Sequence, residues 1–234
     1  MKYRWMYLLC GICYMFCLLS AWGLLKDGTI EVWQPAWETK ETVEAGSAWE
    51  KPQIALTFDD GPDPESTPVL LDGLRERGVK ATFFVIGTNV EKHPELVVRE
   101  AKEGHIVGNH TYHHGEVTKL GEVEAEEEIV KNSALIERIT GKPTEYMRPP
   151  FGAWQRGLEL RMKVVPVLWT VDPLDWTTAN EEEIVNKVVT DVEENDIILL
   201  HDCYLSSVNA ALRIVDILQK EGYEFVTVEE LLLN

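Results

Sequence analysis

Cysteine is scarce and poorly placed for cross-linking. Three of the four, Cys10, Cys13 and Cys17, fall inside one uncharged N-terminal run, and only Cys203 lies outside it. The rest of the chain cannot close an internal disulfide, so its stability must come from a packed core. Basic residues are short as well: 22 Lys and Arg stand against 40 Asp and Glu, a formal net charge of −18. Nucleic acid is thereby excluded as a partner, because phosphate binding needs clustered positive charge. The acid excess speaks to solubility and names no substrate. There is no internal repeat and no low-complexity tract. What is present in quantity is apolar: 45% of 234 residues is enough for one large α/β domain with extra segments.

Residues 1–4, MKYR, carry two positive charges, and residues 5–25, WMYLLCGICYMFCLLSAWGLL, carry none. As a helix that run spans about 31 Å, close to the ~30 Å thickness of a bilayer's hydrocarbon. Trp5 and Trp22 would sit at the two interfaces, and Lys2 and Arg4 keep the N-terminus inside. The expectation is an uncleaved N-terminal hydrophobic helix over residues 1–25, a single-pass membrane anchor. The alternative is a signal peptide cleaved near Ala21-Trp22-Gly23, giving a secreted protein. Both readings place the rest of the chain outside the membrane. Residues 26–50 show no clear period and several turn formers, with tryptophans at 33, 37 and 49, and read as an extracytoplasmic stalk.

From residue 51 to 234 the pattern alternates between strand and helix. QIALTF, KATFFVIG, HIVGNH, EYMRPPFG, VVPVLWTVD, DIILLHD and EFVTV read as strands. PESTPVLLDGLRERG, HPELVVREAKEGH, GEVEAEEEIVKNSALIERITG, NEEEIVNKVVTDVEEN and SVNAALRIVDILQKEG read as helices, with Asn180 as a cap and Gly78 and Gly141 as stops. Such alternation predicts a parallel sheet with right-handed crossovers. The number of units favours an irregular (β/α) barrel, whose site lies at the C-terminal strand ends.

Polar residues gather at those ends. TF runs into Asp59-Asp60, IVGN into His110, LWTV into Asp172 and IILL into His201. HTYHH at 110–114 offers an i,i+4 pair (His110, His114) and an i,i+3 pair (His110, His113), either able to converge on one cation. Two histidines with Asp59 or Asp60 make a three-ligand site with open positions, the catalytic form of a zinc site. The other carboxylate is then available as a general base, and His201 as a general acid. His93 reads as a cap or surface residue, His105 as structural and Cys203 as a half-buried thiol. The run EVEAEEEIV at 122–130 reads as a solvated helix face.

TFDDGP (57–62), HTYHH (110–114), RPPFG (148–152), DPLDW (172–176) and LLH (199–201) occur in an order and spacing that resembles the polysaccharide deacetylase family, the NodB-homology domain of carbohydrate esterase family 4. The resemblance covers about residues 51–234. It implies a distorted (β/α) barrel and metal-dependent removal of N-acetyl groups from amino sugars of a cell-surface polysaccharide. By that resemblance Asp59 is the base, and Asp60, His110 and His114 hold a divalent metal, zinc first, with Co2+ or another divalent ion as the alternative. Arg148 pairs with Asp59 and would keep it ionised. Asp175 orients the acid, His201. Phe151, by its backbone, Trp176 and Leu199 contact substrate. Peptidoglycan N-acetylglucosamine or chitin-like oligomers are the implied glycans. A catalytically silent glycan-binding protein is the rival reading, and a membrane scaffold that binds no metal is the third. Phe151 stands where the family more often has tyrosine, and AWQRGLELRMKVV matches none of its patterns.

Overall fold

The computed structural model describes residues 51–154 and 163–233. The anchor expected over 1–25, the stalk over 26–50 and residues 155–162 of the unmatched segment lie outside these. Among the described residues no helix is long and apolar enough to cross a membrane.

Seven parallel strands form one sheet: β1 (Gln53–Asp59), β2 (Thr82–Val85), β3 (Ile106–Asn109), β4 (Tyr146–Met147), β5 (Val165–Pro166), β6 (Ile197–His201) and β7 (Glu224–Val226). Their order is β5-β4-β3-β2-β1-β6, with β7 paired to the first residues of β1. The helices are α1 (Thr67–Arg77), α2 (Gly87–Lys92), α3 (Pro94–Lys102), α4 (Glu122–Thr140), α5 (Glu181–Asp191), α6 (Leu205–Glu221) and α7 (Val228–Leu233). The result is a half-barrel of parallel strands with helices packed on it.

The two-residue period of a strand divides the core in two. On β1, Ile54, Leu56 and Phe58 point outward and pack with Leu70, Leu71 and Leu74 of α1 and with Ile214, Val215 and Leu218 of α6. On the inner face, Ala55 belongs to a smaller cluster with Phe84, Tyr146, Val167 and Val228. Above Ala55 the same face turns polar, through Thr57 to Asp59. On β6 the inner column likewise runs from Ile197 through Leu199 to His201, level with Asp59 in the β1–β6 register. One end of the half-barrel is therefore closed by apolar side chains, and the other is left to polar ones.

The expected strand over 164–172 is much shorter. Only Val165 and Pro166 pair with β4, and the chain then crosses to β6, where Val171 bridges Ile198. The carbonyls of Val167 and Leu168 turn to the Arg148 guanidinium, which claims them at 3.1 Å each. The strand expected at EYMRPPFG is cut to two residues by the turn at Pro150–Gly152. The short α2 and the terminal α7 went unread, because neither is long enough to show a helical period.

His105 is buried, and its Nδ1 accepts the Ala81 N–H at 3.1 Å. Burial, helped by the nearby Lys80 charge, pulls its pKa from 6.5 to about 4. The folded state thus takes up this proton later than the unfolded chain. The stabilising contribution is complete above about 6.5 and is lost as pH falls towards about 4. His105→Asn keeps an acceptor for Ala81 but cannot titrate. Chemical unfolding between those limits should show a shallower loss of stability in this variant than in the parent; equal slopes would refute the assignment.

Candidate active site

The site is built where β1, β3 and β6 end. Successive strand residues face opposite sides of a sheet, so an Asp-Asp pair would normally be split. Here β1 stops at Asp59, and Asp60 turns to a left-handed φ of 71°. Both carboxylates then reach one cavity of about 410 Å³, shared with His110, His114 and His201. Gly61 follows because no side chain fits there: a Cβ would collide with the Asp202 carboxylate.

Asp59 is held by Arg148, the largest fully buried side chain among the described residues, at 2.9 Å. The same guanidinium donates to Thr57 Oγ1 at 2.7 Å and stacks over Phe84, 4.3 Å from its ring centre. Burial works against the Arg148 charge, and Asp59 offsets it. An ion pair so far from water is costly to break, because removing either partner strands the other charge.

Asp60 Oδ1 lies 3.4 Å from His110 Nε2 and 3.3 Å from His114 Nε2. Ligand atoms of these three residues lie within 4.8 Å of one another. A divalent cation fits here on three observations. Asp60 Oδ1 is buried with no hydrogen-bond partner of its own. The Arg148 carbonyl lies 2.7 Å from His110 Nδ1, so the Nδ1–H is fixed and the Nε2 lone pair faces Asp60. The ionisation states also suit coordination. Burial opposes the Asp60 charge, but the close approach of His110, with His114 and His201 nearby, outweighs it and holds the carboxyl below its ordinary value. Burial pulls His114 below its usual value, toward the neutral imidazole that a metal requires.

His201 stands across the cavity, its Nε2 3.9 Å from Asp60 Oδ2. Its Nδ1 is 2.7 Å from one oxygen of the buried Asp175, and its backbone N–H donates to the other at 2.8 Å. Burial opposes a charged ring, but the Asp175 hydrogen bond and the charges of Asp175, Asp59 and Asp60 outweigh it and raise the pKa to about 9. The ring is protonated at neutral pH.

All ten residues singled out in the sequence therefore gather here. Phe151, Trp176 and Leu199 line the cavity, and Arg148 and Asp175 lie buried behind it. The sequence reading missed Trp169, Leu174 and Tyr204, which line the same cavity. They sit beside RPPFG, inside DPLDW and just after LLH in space or sequence, and proximity to those motifs was the only available signal. It also misread Glu128, placed on a solvated face. Its side chain is 13% exposed and accepts the N–H groups of Tyr112 and His113 at 3.1 and 2.7 Å. The overlooked signal was one turn along: Asn132 and Ser133 are polar residues on the buried face of α4. Five of the six non-glycine residues with positive φ among those described, Asp60, Thr111, His114, Phe151 and Leu174, belong to this site or its ligand loop. Backbone strain concentrated in this way is typical of functional sites.

A family model described as polysaccharide deacetylase matches residues 47–165. Peptidoglycan-N-acetylmuramic acid deacetylase PdaC of Bacillus subtilis is 42% identical over 76% of this chain, which spans 38% of that relative's length. Its solved structure superposes with a TM-score of 0.75 at 41% identity, covering 78% of this chain and 90% of the other. A peptidoglycan-N-acetylglucosamine deacetylase of Bacillus cereus is 38% identical, covering 83% of this chain and 74% of the relative. A CE4 family pseudoenzyme from Bacillus anthracis shares the fold with a TM-score of 0.73 at 26% identity, covering 78% of this chain and 66% of that one. By the family model and the relatives together, the chain belongs to the polysaccharide deacetylase family.

Proposed function

We propose that this chain removes N-acetyl groups from amino sugars of a cell-surface polysaccharide and releases acetate. The observation that carries the reading is the meeting, in one cavity, of a metal-ligand triad, an arginine-held carboxylate and a protonated histidine. The sugar is read as N-acetylglucosamine, in peptidoglycan or a chitin-like oligomer, on the strength of the intact Asp59-Asp60 pair. N-acetylmuramic acid is the alternative, since the Bacillus subtilis relative bears that name. The domain works outside the membrane, tethered by residues 5–25 with the N-terminus inside, or secreted if that segment is cleaved. The fold is read as a distorted (β/α) barrel. Segment 165–171 spans the gap between β4 and β6, bonded through Val165 N–H to Glu145 O and Leu199 N–H to Val171 O.

Asp60, His110 and His114 would hold the cation, read as zinc, with Co2+ or another divalent ion as the alternative. Bound there, a zinc ion supplies Lewis acidity, making water a stronger acid and polarising the amide carbonyl. Asp59 takes the proton from the attacking water; the buried Arg148 fixes its carboxylate toward the cavity. The backbone N–H of Phe151, in a turn where that residue has φ 61°, is read as a donor to the developing oxyanion. His201 gives its proton to the leaving amine, and Asp175 keeps that proton in supply. Trp176 and Leu199 receive the acetyl methyl group. A catalytically silent glycan-binding protein is the second reading, favoured by the pseudoenzyme's possession of the same fold. The complete residue set argues against it.

The purified 234-residue chain, in detergent, should release acetate from N-acetylglucosamine oligomers or peptidoglycan, and a chelator should abolish the release. Sugar binding without acetate at any metal loading would support the silent reading instead. Asp59→Asn should lower kcat by about 10²–10⁴-fold, the range of a positioned acid or base; full activity in that variant would overturn the assignment of the base.

His201 acts only while protonated, so kcat should hold up to about pH 9 and fall above it. Asp175→Asn removes the acceptor and charge that raise this pKa. The alkaline limb of the kcat profile should move to lower pH, with the acid limb in place. An unmoved limb would exclude His201 as the acid.

A further inference from the structure

His110 and His114 are four residues apart, but the segment between them is not a helix. Their rings converge, with centroids 4.9 Å apart, because Thr111 and His114 adopt left-handed φ values of 61° and 62°. Left-handed backbone is unfavourable for residues with a side chain, so the surroundings must hold the loop in place.

Two helices do so from opposite sides. The first N–H groups of α2, Gly87 and Thr88, donate to the carbonyls of Thr111 and Tyr112 at 3.0 and 2.9 Å. The N–H groups of Tyr112 and His113 go to α4. One oxygen of Glu128 accepts from Tyr112 and His113, and the other lies 2.6 Å from His113 Nδ1. One turn on, Asn132 donates to the Thr111 carbonyl at 2.9 Å and to Asn109 Oδ1 at 3.2 Å. Asn109 Oδ1 in turn accepts the Thr111 N–H at 2.7 Å. Of these groups Glu128 is the only anion, and charge-assisted bonds to backbone N–H are the strongest of the set.

We infer that Glu128 is a positioning residue of the metal centre. It is not among the residues that line the cavity. By fixing the backbone of residues 112 and 113 it sets the spacing at which His110 and His114 present their Nε2 atoms to Asp60. His113, which is no ligand, closes the same clasp from the loop side. The inference rests on the reading of Asp60, His110 and His114 as a cation site.

Cobalt(II) titration of the full chain tests both, with the visible absorption of the bound ion as a record of ligand geometry. Glu128→Ala should weaken Co2+ binding about 10–100-fold, the usual effect of removing support behind a ligand, and should alter the spectrum. Glu128→Gln retains one acceptor and should fall between the two. The metal-free Glu128→Ala protein should unfold within a few degrees of the parent. Parental affinity and spectrum in Glu128→Ala would overturn this inference alone, as would an affinity loss matched by collapse of the metal-free fold. Failure of the parent to take up Co2+ would bring down the cation site, and this inference with it.

Discussion

The buried ion pair between Arg148 and Asp59 organises the rest of the site. Arg148 enters the half-barrel from the end of β4 and has no contact with solvent. Four of its five N–H groups find acceptors in two parts of the chain: Thr57 and Asp59 on β1, and the carbonyls of Val167 and Leu168 after β5. Removing one partner of such a pair costs about 3–5 kcal/mol, because the other charge is stranded away from water. The guanidinium therefore fixes where the polar half of the barrel interior begins. It explains why β5 ends after two residues, since the next two carbonyls are drawn inward. It also ties the Asp60–His110–His114 cluster to Asp59: the Arg148 carbonyl orients His110 while its side chain holds Asp59.

A second constraint is electrostatic sorting within a small volume. Asp59, Asp60 and Asp175 would repel one another if left alone. The structure gives each carboxylate different neighbours: the Arg148 guanidinium for Asp59, His110 and His114 for Asp60, and the His201 imidazole for Asp175. Burial alone would lower both His114 and His201; Asp175 sets them apart. His114 is pulled down towards neutrality, while His201, with Asp175 at 2.7 Å, is pushed up to about 9. One residue type thus stands in a single cavity in two forms, a neutral one suited to coordination and a charged one suited to proton donation.

Much of this was legible in the residues. β1, β3 and β6 were read within a residue or two, because each is an apolar run bounded by turn formers. The Gly78 and Gly141 stops appear as left-handed caps, and Asn180 accepts the Glu183 N–H as an N-cap does. Less legible were features set by distant partners. Val165–Val171 has the composition of a strand but bends to serve Arg148. Glu128 lies in a row of five glutamates among seven residues, where periodicity offers no reason to choose one over another.

The sequence by itself determined the identities of the chemical groups and their placement at strand ends. Short-range rules carry that information: a strand's period of two, the breaking of helices by glycine, and the types of side chain that bind metal or move protons. Apart from the family resemblance, only tertiary structure decided which carboxylate is tied to which partner, which histidine is charged, and which glutamate faces the 110–114 loop. Those outcomes depend on burial and on contacts between residues far apart in the chain. Arg148 meets Asp59 across 89 positions and His201 meets Asp175 across 26. No local pattern encodes such distances. They arise when the strands align and water is excluded from the space between them.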